Sequence, residues 1–258
     1  MNTTKKILKE LTIIFRNVYS NLPLPGISRP VFIIGCGRSG TTILGKSLSK
    51  HKEITYLNEP RDLWFSAYPE TDIWTSAAHL RNGKLALTEV DSDTRKSKKL
   101  SRLFRFMTII NNRHVLIEKL PINSFRLKFI QNIFPDARYI HIYRNGLEVA
   151  RSINKACDRE EWFGKNYYKW DLLVKYSKNK KETKNLPEIC TTSYEKGLLE
   201  WRLSTESAVN FLCNISDDAY IEVNYDEFIN DPIKTITRII NFIDIAPDLD
   251  VENFVSNT

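Results

Sequence analysis

Cysteine is scarce in this chain of 258 residues, and its four cysteines are scattered without any C-x-x-C pair. The four histidines show no spacing that would join the cysteines in a zinc site. These absences remove the usual sequence signs of a bound metal, and we predict that the protein holds none. Because so few cysteines occur over this length, a reducing cytoplasm is the predicted location.

Long apolar runs are also missing. Residues 1–21 are basic and partly amphipathic, and their longest apolar run is too short for a membrane-spanning helix or a signal peptide. We predict that this segment packs on the protein surface. Peripheral contact of a basic amphipathic helix with an anionic membrane is a weaker alternative.

The composition is that of a soluble globular protein, with 42% hydrophobic and 27% charged residues. We expect a basic N-terminal segment and linker over residues 1–30, followed by a single α/β domain over residues 31–258. The net charge of +7 indicates an anionic partner, which could be a nucleotide, a polyanionic glycan, nucleic acid or a membrane surface. Charge alone does not choose among these partners.

One stretch, VFIIGCGRSGTTILGKSLSKH at residues 31–51, combines a strand, a glycine turn and a helix. Its first four residues form an unbroken apolar run, which is typical of a strand buried on both faces. The turn carries three glycines, which permit positive φ angles and close approach of the backbone to a ligand. Since the turn leads into a helix N-terminus, we predict an anion site there, with Arg38, Thr41 and Thr42 as further donors.

The same turn fits the spacing of the nucleotide P-loop, G-x-x-x-x-G-K-[ST], with one exception. Thr42 occupies the Ser/Thr position, but Thr41 stands where the motif requires lysine. In kinases and NTPases that lysine serves the phosphates during phosphoryl transfer. Its absence argues against an ordinary kinase or ATPase and leaves phosphate binding intact.

Further apolar runs predict strands at residues 54–57, 114–120, 138–144 and 220–225. Helical patterns accompany them at residues 123–134, 147–156, 194–215 and 232–243. Because strands and helices alternate, we predict an α/β fold of the P-loop type, a doubly wound parallel sheet flanked by helices.

Two mostly helical or irregular insertions interrupt this pattern, at residues 63–112 and 158–193. Both are rich in aromatic and basic residues, and we expect them to line the cleft for a substrate. The tail over residues 246–258 is predicted to be short and extended.

Polar residues follow four of the predicted strands. Arg38 and its loop come after the first strand, Glu59 after the second, Lys119 after the third and Arg144 after the fourth. Ligands of an open parallel sheet collect at the carboxyl ends of its strands. We therefore expect a carboxylate, an ammonium and two guanidinium groups to converge on the anion site and form a group-transfer site.

Five blocks of the sequence carry a resemblance to a known family. They are RSGTT at residues 38–42, Glu59 in Asn-Glu-Pro, Lys119, RNGLEVARS at residues 144–152, and VNYDEFINDP at residues 223–232. Together they resemble sulfotransferases that use 3'-phosphoadenosine-5'-phosphosulfate (PAPS), especially the branch with protein-tyrosine and some carbohydrate enzymes. The resemblance extends over residues 31–245. Asp226 stands where that family usually has glutamate.

The resemblance implies PAPS as cofactor, 3'-phosphoadenosine-5'-phosphate (PAP) as product, and no metal. Arg144 and Ser152 would bind the 3'-phosphate. The residues that would hold the 5'-phosphosulfate are Gly37, Arg38, Ser39, Gly40, Thr41 and Thr42.

The resemblance also assigns catalytic roles. Glu59 would be the general base that takes the proton of the acceptor hydroxyl, while Lys119 and Arg38 would stabilise the sulfuryl group and the leaving oxygen. A positioned base contributes about 10²–10⁴-fold in rate. Charge developing on the transferred group can be stabilised by preorganised N–H groups and cations.

A carbohydrate or glycan hydroxyl is the acceptor that we predict, since the insertions are aromatic and basic; a small phenol or a peptide tyrosine would also suit them. The alternatives are a P-loop nucleotide kinase or NTPase, and a non-catalytic nucleic-acid-binding module. We expect no nucleic-acid partner. In the family, a segment beyond the last helix closes over the cofactor; here residues 254–258 form a minimal lid, or part of the lid is absent.

Overall fold

The computed structural model describes residues 3–157 and 161–256 of the chain, and side chains from residue 12 onward. Its centre is a five-stranded sheet in the order β2-β3-β1-β4-β5, in which every pairing is parallel. The strands are β1 (Val31–Ile34), β2 (Ile54–Asn58), β3 (Val115–Lys119), β4 (Arg138–Tyr143) and β5 (Tyr220–Asn224). The predicted α/β fold with a doubly wound parallel sheet is confirmed.

Helices cover both faces of the sheet. The first six are α1 (Thr3–Asn21), α2 (Thr41–Leu48), α3 (Arg61–Ala67), α4 (Thr94–Ile110), α5 (Leu127–Ile133) and α6 (Gly146–Cys157). They are followed by α7 (Tyr168–Lys178), α8 (Leu186–Ile189), α9 (Ser193–Leu212), α10 (Tyr225–Asn230), α11 (Pro232–Phe242) and α12 (Leu249–Ser256). Short 3-10 turns occur mainly in the first insertion and ahead of α5 and α7.

Strand β1 is buried at all four positions, because its alternate side chains enter two separate cores. Phe32 and Ile34 pack with the aromatic core under α3, α4, α5 and α9. Val31 and Ile33 pack with the aliphatic core under α2, α11 and α12. An apolar run without alternation is what a strand covered on both faces requires.

Two segments differ from the sequence-based prediction. The helix expected over residues 123–134 is split into a 3-10 turn (Pro121–Phe125) and α5, since Arg126 between them has a non-helical backbone with φ −128° and ψ 17°. The tail, expected to be extended, forms α12. The Asp248 carboxylate accepts a hydrogen bond from the Asp250 N–H, and Val251 and Val255, one turn apart, are buried in the aliphatic core.

Helix α1 lies against α4. The Tyr19 and Phe106 rings are 5.4 Å apart, and Arg16 forms a 2.6 Å ion pair with Asp62 at the start of α3. No helix in the described ranges is long and apolar enough to cross a membrane. The division into a segment over residues 1–30 and one domain over residues 31–258 stays a prediction.

Candidate active site

A cavity of about 600 Å³ lies at the carboxyl ends of the central strands. Its walls come from the turn after β1, the residues after β2, β3 and β4, and both insertions. This is the edge at which ligands of open parallel sheets bind, and the volume lies within the range of small-molecule sites. We refer to this cavity as the cleft.

The turn between β1 and α2 has a backbone that side chains tolerate poorly. Gly40 has φ 94°, and a Cβ atom there would lie 2.3 Å from the Tyr225 ring. A Cβ atom on Gly37 would lie 2.8 Å from the Trp162 ring. Arg38 itself has φ 71°. Since strained backbone positions cluster at ligand sites, this geometry indicates a turn shaped for contact with a ligand.

Helix α2 begins at this turn with Gly40 as its N-cap and without a side-chain cap. Its first residues, Thr41 and Thr42, line the cleft. The N–H groups of a helix's first turn have no partner within the helix, and they carry the positive end of its dipole. The predicted anion site therefore has its donors on the cleft wall.

A carboxylate and a buried ammonium meet beside this helix N-terminus. Lys119 Nζ lies 2.8 Å from Glu59 Oε1 and 3.1 Å from Thr42 Oγ1, and the lysine side chain is fully buried. Arg61 Nη2 lies 2.6 Å from Glu59 Oε2. We call Thr42, Glu59, Arg61 and Lys119 the acid–base cluster. The ion pair orients both charges toward the end of the anion turn.

The Glu59 carboxylate is held in its ionised form. Burial by itself would raise the pKa of Glu59, but the hydrogen bond and charge of Lys119, together with those of Arg61, outweigh burial and hold the pKa below its ordinary value. Glu59 also has φ 52°, which is uncommon for a side chain of this size. The backbone and the ion pairs thus fix a proton-accepting group on the cleft wall.

Three further residues predicted from the sequence lie elsewhere on the cleft wall. Arg38 Nε donates to Ser152 Oγ at 2.9 Å. The Arg144 guanidinium lies 4.1 Å from the centre of the Tyr225 ring and pairs with Glu148 at 2.8 Å. We call Arg38, Arg144 and Ser152 the phosphate cluster. Arg38 is thus hydrogen-bonded to Ser152 and has no hydrogen bond to Glu59 or Lys119.

Not every predicted residue reaches the cleft. Ser39 is 1% exposed, its N–H donates to the Cys36 carbonyl, and within the described ranges its Oγ has no partner. Lys119 lies beneath Glu59 and is absent from the cleft surface. Gly37, Arg38, Gly40, Thr41, Thr42, Glu59, Arg144 and Ser152 all line the cleft.

Residues 254–256, the described part of the segment considered as a minimal lid, do not close over the cleft. No residue after Tyr225 in the described ranges lines the cleft. The Phe254 ring lies 4.7 Å from Lys50 Nζ, in α12, which covers α2 on the aliphatic side of the sheet. Residues 257 and 258 of the proposed lid lie outside the described residues.

Sequence reasoning missed a second buried ion pair on the cleft wall. Lys169 Nζ lies 2.7 Å from Glu200 Oε1, with both side chains nearly buried, and Trp162 Nε1 donates to Glu200 Oε2 at 2.9 Å. The pair holds the Trp162 ring against Gly37. No sequence motif identifies these residues, because Trp162 and Lys169 lie in the second insertion and Glu200 lies in the middle of α9.

These features define a class of protein. A glycine turn and a helix N-terminus at the carboxyl edge of a parallel sheet are suited to hold an anionic group, and the acid–base cluster beside them places an ionised carboxylate next to a buried ammonium. The combination is that of a group-transfer enzyme acting on an anionic donor.

Comparison with known proteins identifies the family. The model of the sulfotransferase family matches residues 30–248, so the chain belongs to that family. Sulfotransferases generally use PAPS as the sulfuryl donor.

Solved structures support the same fold. The chain is similar to the sulfotransferase domain of the olefin synthase of Synechococcus PCC 7002, with 18% identity, 89% of this chain and 78% of that chain covered, and a TM-score of 0.58. It is also similar to sulfotransferase STF1 from Mycobacterium tuberculosis H37Rv, with 15% identity, coverage of 89% and 71%, and a TM-score of 0.57. At these identities the likeness concerns the fold alone.

One curated relative matches part of the chain. An uncharacterized protein of Aquifex aeolicus (strain VF5) is 29% identical over 135 residues, which are 48% of this chain. The match spans 16% of the length of that relative.

Proposed function

We propose that this sulfotransferase moves the sulfuryl group of PAPS to a hydroxyl acceptor, with Glu59 as the general base. The observation that carries the proposal is the acid–base cluster, in which an ionised carboxylate and a buried ammonium meet at the N-terminus of α2. A base and a cation held beside an anion site are what transfer to a neutral hydroxyl requires.

The donor set of the cleft fits PAPS. Cations and hydroxyl groups cluster in two places, at the α2 N-terminus and at the phosphate cluster, and the donor has a phosphosulfate and a separate phosphate. The cleft carboxylates Glu59, Glu161 and Glu200 are each paired with a cation, so they present little free negative charge. When bound, PAPS supplies an activated sulfuryl group.

We assign the residues as follows. Gly37, Gly40, Thr41 and Thr42 would hold the phosphosulfate through backbone N–H groups and hydroxyls. Arg144 and Ser152 would hold the 3'-phosphate. Arg38, which contacts Ser152, would lie between the two groups. Ser39 would contribute through its place in the turn, because its side chain is buried.

The chemical roles follow from the acid–base cluster. A Glu59 carboxylate oxygen would accept the proton of the acceptor hydroxyl. Lys119 Nζ, which lies within hydrogen-bond distance of both Glu59 and Thr42, would hold positive charge where negative charge develops. Arg61 would orient the second Glu59 oxygen. The proposal needs no metal ion from the protein.

The acceptor predicted from the sequence is a carbohydrate or glycan. The stacking of Arg61 on Trp74, at 4.1 Å from the ring centre, supports this hypothesis, since an indole face and a guanidinium can contact a sugar ring and its acidic substituent.

Incubation with radiolabelled PAPS and a panel of glycans, alcohols and phenols tests the proposal. We expect label to pass to at least one hydroxyl compound, and to none when PAPS is replaced by labelled ATP with Mg²⁺. Phosphoryl transfer from ATP would favour the kinase alternative. Binding of single-stranded nucleic acid with a steep salt dependence, together with no transfer to any acceptor, would favour the nucleic-acid-binding alternative.

A further inference from the structure

Helix α1 packs on the rest of the protein through one side only. Arg16 forms its ion pair with Asp62, the Tyr19 ring contacts the Phe106 ring, and Ser20 is buried. These three α1 residues lie three or four positions apart or next to each other, so they share one face of the helix. The face that holds α1 in place is therefore made of a cation, a phenol ring and a hydroxyl.

The opposite side of α1 is apolar and faces solvent. Ile14, Phe15 and Val18, with Leu22 just after the helix, are spaced so that they also share a face. Their side chains are between 43% and 63% exposed. We call these four residues the apolar face of α1.

This orientation is the reverse of the usual one, in which a surface helix buries its apolar stripe. The neighbouring α4 follows the usual pattern, since Leu100, Leu103 and Phe104 are fully buried in it. A cluster of large exposed apolar side chains with a polar border is typical of a surface that binds a partner or a membrane. The apolar face of α1 is therefore a candidate interaction surface.

The surroundings of this face are strongly basic. Helix α4, against which α1 packs, contains six cations and no carboxylate. Four of these cations recur every three or four residues and thus share one side of the helix: Arg95, Lys98, Arg102 and Arg105. The Arg102 side chain donates to the carbonyl groups of Ser20 and Leu24, which places this side next to the end of α1. We call these four residues the basic stripe.

Few acidic groups offset this charge. In the sequence of residues 1–21, Lys5, Lys6, Lys9 and Arg16 occur with a single carboxylate, Glu10. Within the described ranges no member of the basic stripe forms an ion pair. The stripe is therefore available to a partner that carries negative charge.

An anionic bilayer matches both features. Its phosphate groups attract cations, and the boundary between its headgroups and acyl chains accepts apolar side chains. A second copy of the chain would match them less well, because contact through this face would bring two basic stripes together. The observations thus favour a lipid surface.

We propose that α1 binds to the surface of an anionic membrane. Ile14, Phe15 and Val18 enter the boundary between headgroups and acyl chains, while the basic stripe contacts lipid phosphates. The helix lies in the plane of the surface and stays attached to the protein through Arg16 and Tyr19. The proposal concerns a surface separate from the cleft and does not depend on the proposed function.

Sedimentation of the full chain with lipid vesicles tests the proposal. We expect binding to vesicles of equal parts phosphatidylcholine and phosphatidylglycerol to be about tenfold or more tighter than binding to phosphatidylcholine alone. Added salt should weaken it, since salt screens exposed charges. The absence of binding to the mixed vesicles, or equal binding to both kinds, would overturn the proposal.

The double variant Phe15→Ser/Val18→Ser tests the apolar face. We expect binding to the mixed vesicles to weaken by about tenfold or more, because two apolar side chains can no longer enter the bilayer. Ile229→Ser/Leu249→Ser is the matched control, since it changes two exposed apolar residues of other helices. Phe15→Leu stays apolar and should keep most of the binding. Equal binding by the wild type and the α1 double variant would contradict the role of α1.

The double variant Arg95→Glu/Lys98→Glu tests the basic stripe. Both residues are exposed, so we expect the fold to be retained and the melting temperature to change little. Binding to the mixed vesicles should weaken by about tenfold or more, whereas binding to phosphatidylcholine should not change. A variant that kept the full preference for phosphatidylglycerol would exclude the basic stripe from the proposed contact.

The oligomeric state in solution separates the two possible occupants of the face. We expect sedimentation velocity to give the same oligomeric state for the wild type and Phe15→Ser/Val18→Ser. A dimer that this variant loses, together with no vesicle binding, would assign the face to a second copy and overturn the proposal. Vesicle binding is measured without PAPS, so a failure of the proposed sulfuryl transfer would leave this test intact.

Discussion

Glu59 is subject to three constraints at once. Its backbone is in the left-handed region, its carboxylate is shared between Lys119 and Arg61, and it lines the cleft. A residue at a simple strand end would need none of these. Holding a glutamate in a left-handed backbone conformation costs free energy, and such strained positions cluster at ligand sites. We therefore infer that Glu59 acts on a ligand.

Glu59→Gln tests this role, because glutamine keeps the shape of the side chain and removes its basicity. We expect turnover to fall by about 10²–10⁴-fold while PAP affinity changes little, since proton acceptance matters mainly in the transition state. Steady-state kinetics and PAP titration measure the two effects. Glu70→Gln, which alters a carboxylate paired with Lys96 outside the cleft, serves as the control. Near-normal turnover in Glu59→Gln would remove the residue from the mechanism.

Glu118, the residue before Lys119, differs from Glu59 in being fully buried. Burial raises its pKa from 4.5 to about 8, although hydrogen bonds from Trp64 and Asn123 and the charge of Lys119 act in the opposite direction. The carboxyl is therefore mainly protonated in the folded protein at neutral pH. Its position between Trp64 and Asn123 anchors α3 to the end of β3.

The raised pKa predicts a pH dependence of stability. Between pH 4.5 and about 8 the folded protein keeps the Glu118 proton and the unfolded chain releases it, so the contribution of Glu118 to the free energy of unfolding falls as pH rises. Glu118→Gln should flatten this slope, since glutamine does not titrate. Urea unfolding of both proteins at pH 5 and pH 8 measures the difference. Equal slopes in the two proteins would show that the carboxyl is ionised throughout.

At the scale of elements, the strand–turn–helix unit formed by β1 and α2 carries the proposed anion site. The turn approaches β4 and α10 closely enough that its glycines have no room for a side chain. A Cβ atom on Gly35 would lie 2.2 Å from the Ile142 carbonyl oxygen, and one on Gly40 would meet Tyr225. The unit thus places the α2 N-terminus between the acid–base and phosphate clusters.

Gly40→Ala should disturb this unit. Alanine at φ 94° is strained, and its Cβ atom would displace Tyr225, against which Arg144 stacks. We expect weaker PAP binding by roughly tenfold or more, together with a lower melting temperature. Ser49→Ala, at the C-terminal end of the same helix, should leave PAP binding unchanged. Normal PAP affinity in Gly40→Ala would argue against a role for the turn in anion binding.

At the scale of the molecule, the sheet lies between an aromatic core and an aliphatic core, and the cleft lies at its carboxyl edge. Binding at this edge bridges elements that are distant in the chain, since α2, α6 and the second insertion all contribute to the cleft. A ligand that contacts all of them should stabilise the whole fold.

PAP should therefore raise the melting temperature much more than ATP with Mg²⁺, because ATP lacks the 3'-phosphate proposed for Arg144 and Ser152. At a hundredfold excess over the dissociation constant, the stabilisation should be about 2.7 kcal/mol. Arg144→Ala should weaken PAP binding by about 1.5–3 kcal/mol, while Arg151→Ala in the following helix α6 should not. Calorimetry measures both effects. Equal stabilisation by ATP and PAP would contradict the 3'-phosphate assignment.

Much of the architecture could be predicted from the chain alone, because it depends on local patterns. Apolar runs such as residues 31–34 and 138–143 identify buried strands, and their alternation with helices requires a parallel sheet. Parallel strands end at the same edge of the sheet. Residues at or just after the strand ends, namely Arg38, Glu59, Lys119 and Arg144, are therefore expected at that edge. One local sign was missed: Asp248 ahead of Val251 and Val255 marks the start of α12.

Only the tertiary structure decided which of these side chains touch. The Lys119 to Glu59 pair, the Arg38 to Ser152 contact and the burial of Ser39 depend on side-chain directions that strand position does not determine. The hydrogen bond between Trp162 and Glu200 joins the second insertion to α9, and a second cavity beside α3 is lined by segments that are also far apart in the chain. No periodicity in the sequence shows that these segments meet. Local sequence determines where a strand ends, whereas packing between distant segments determines the shape and polarity of the space beyond it.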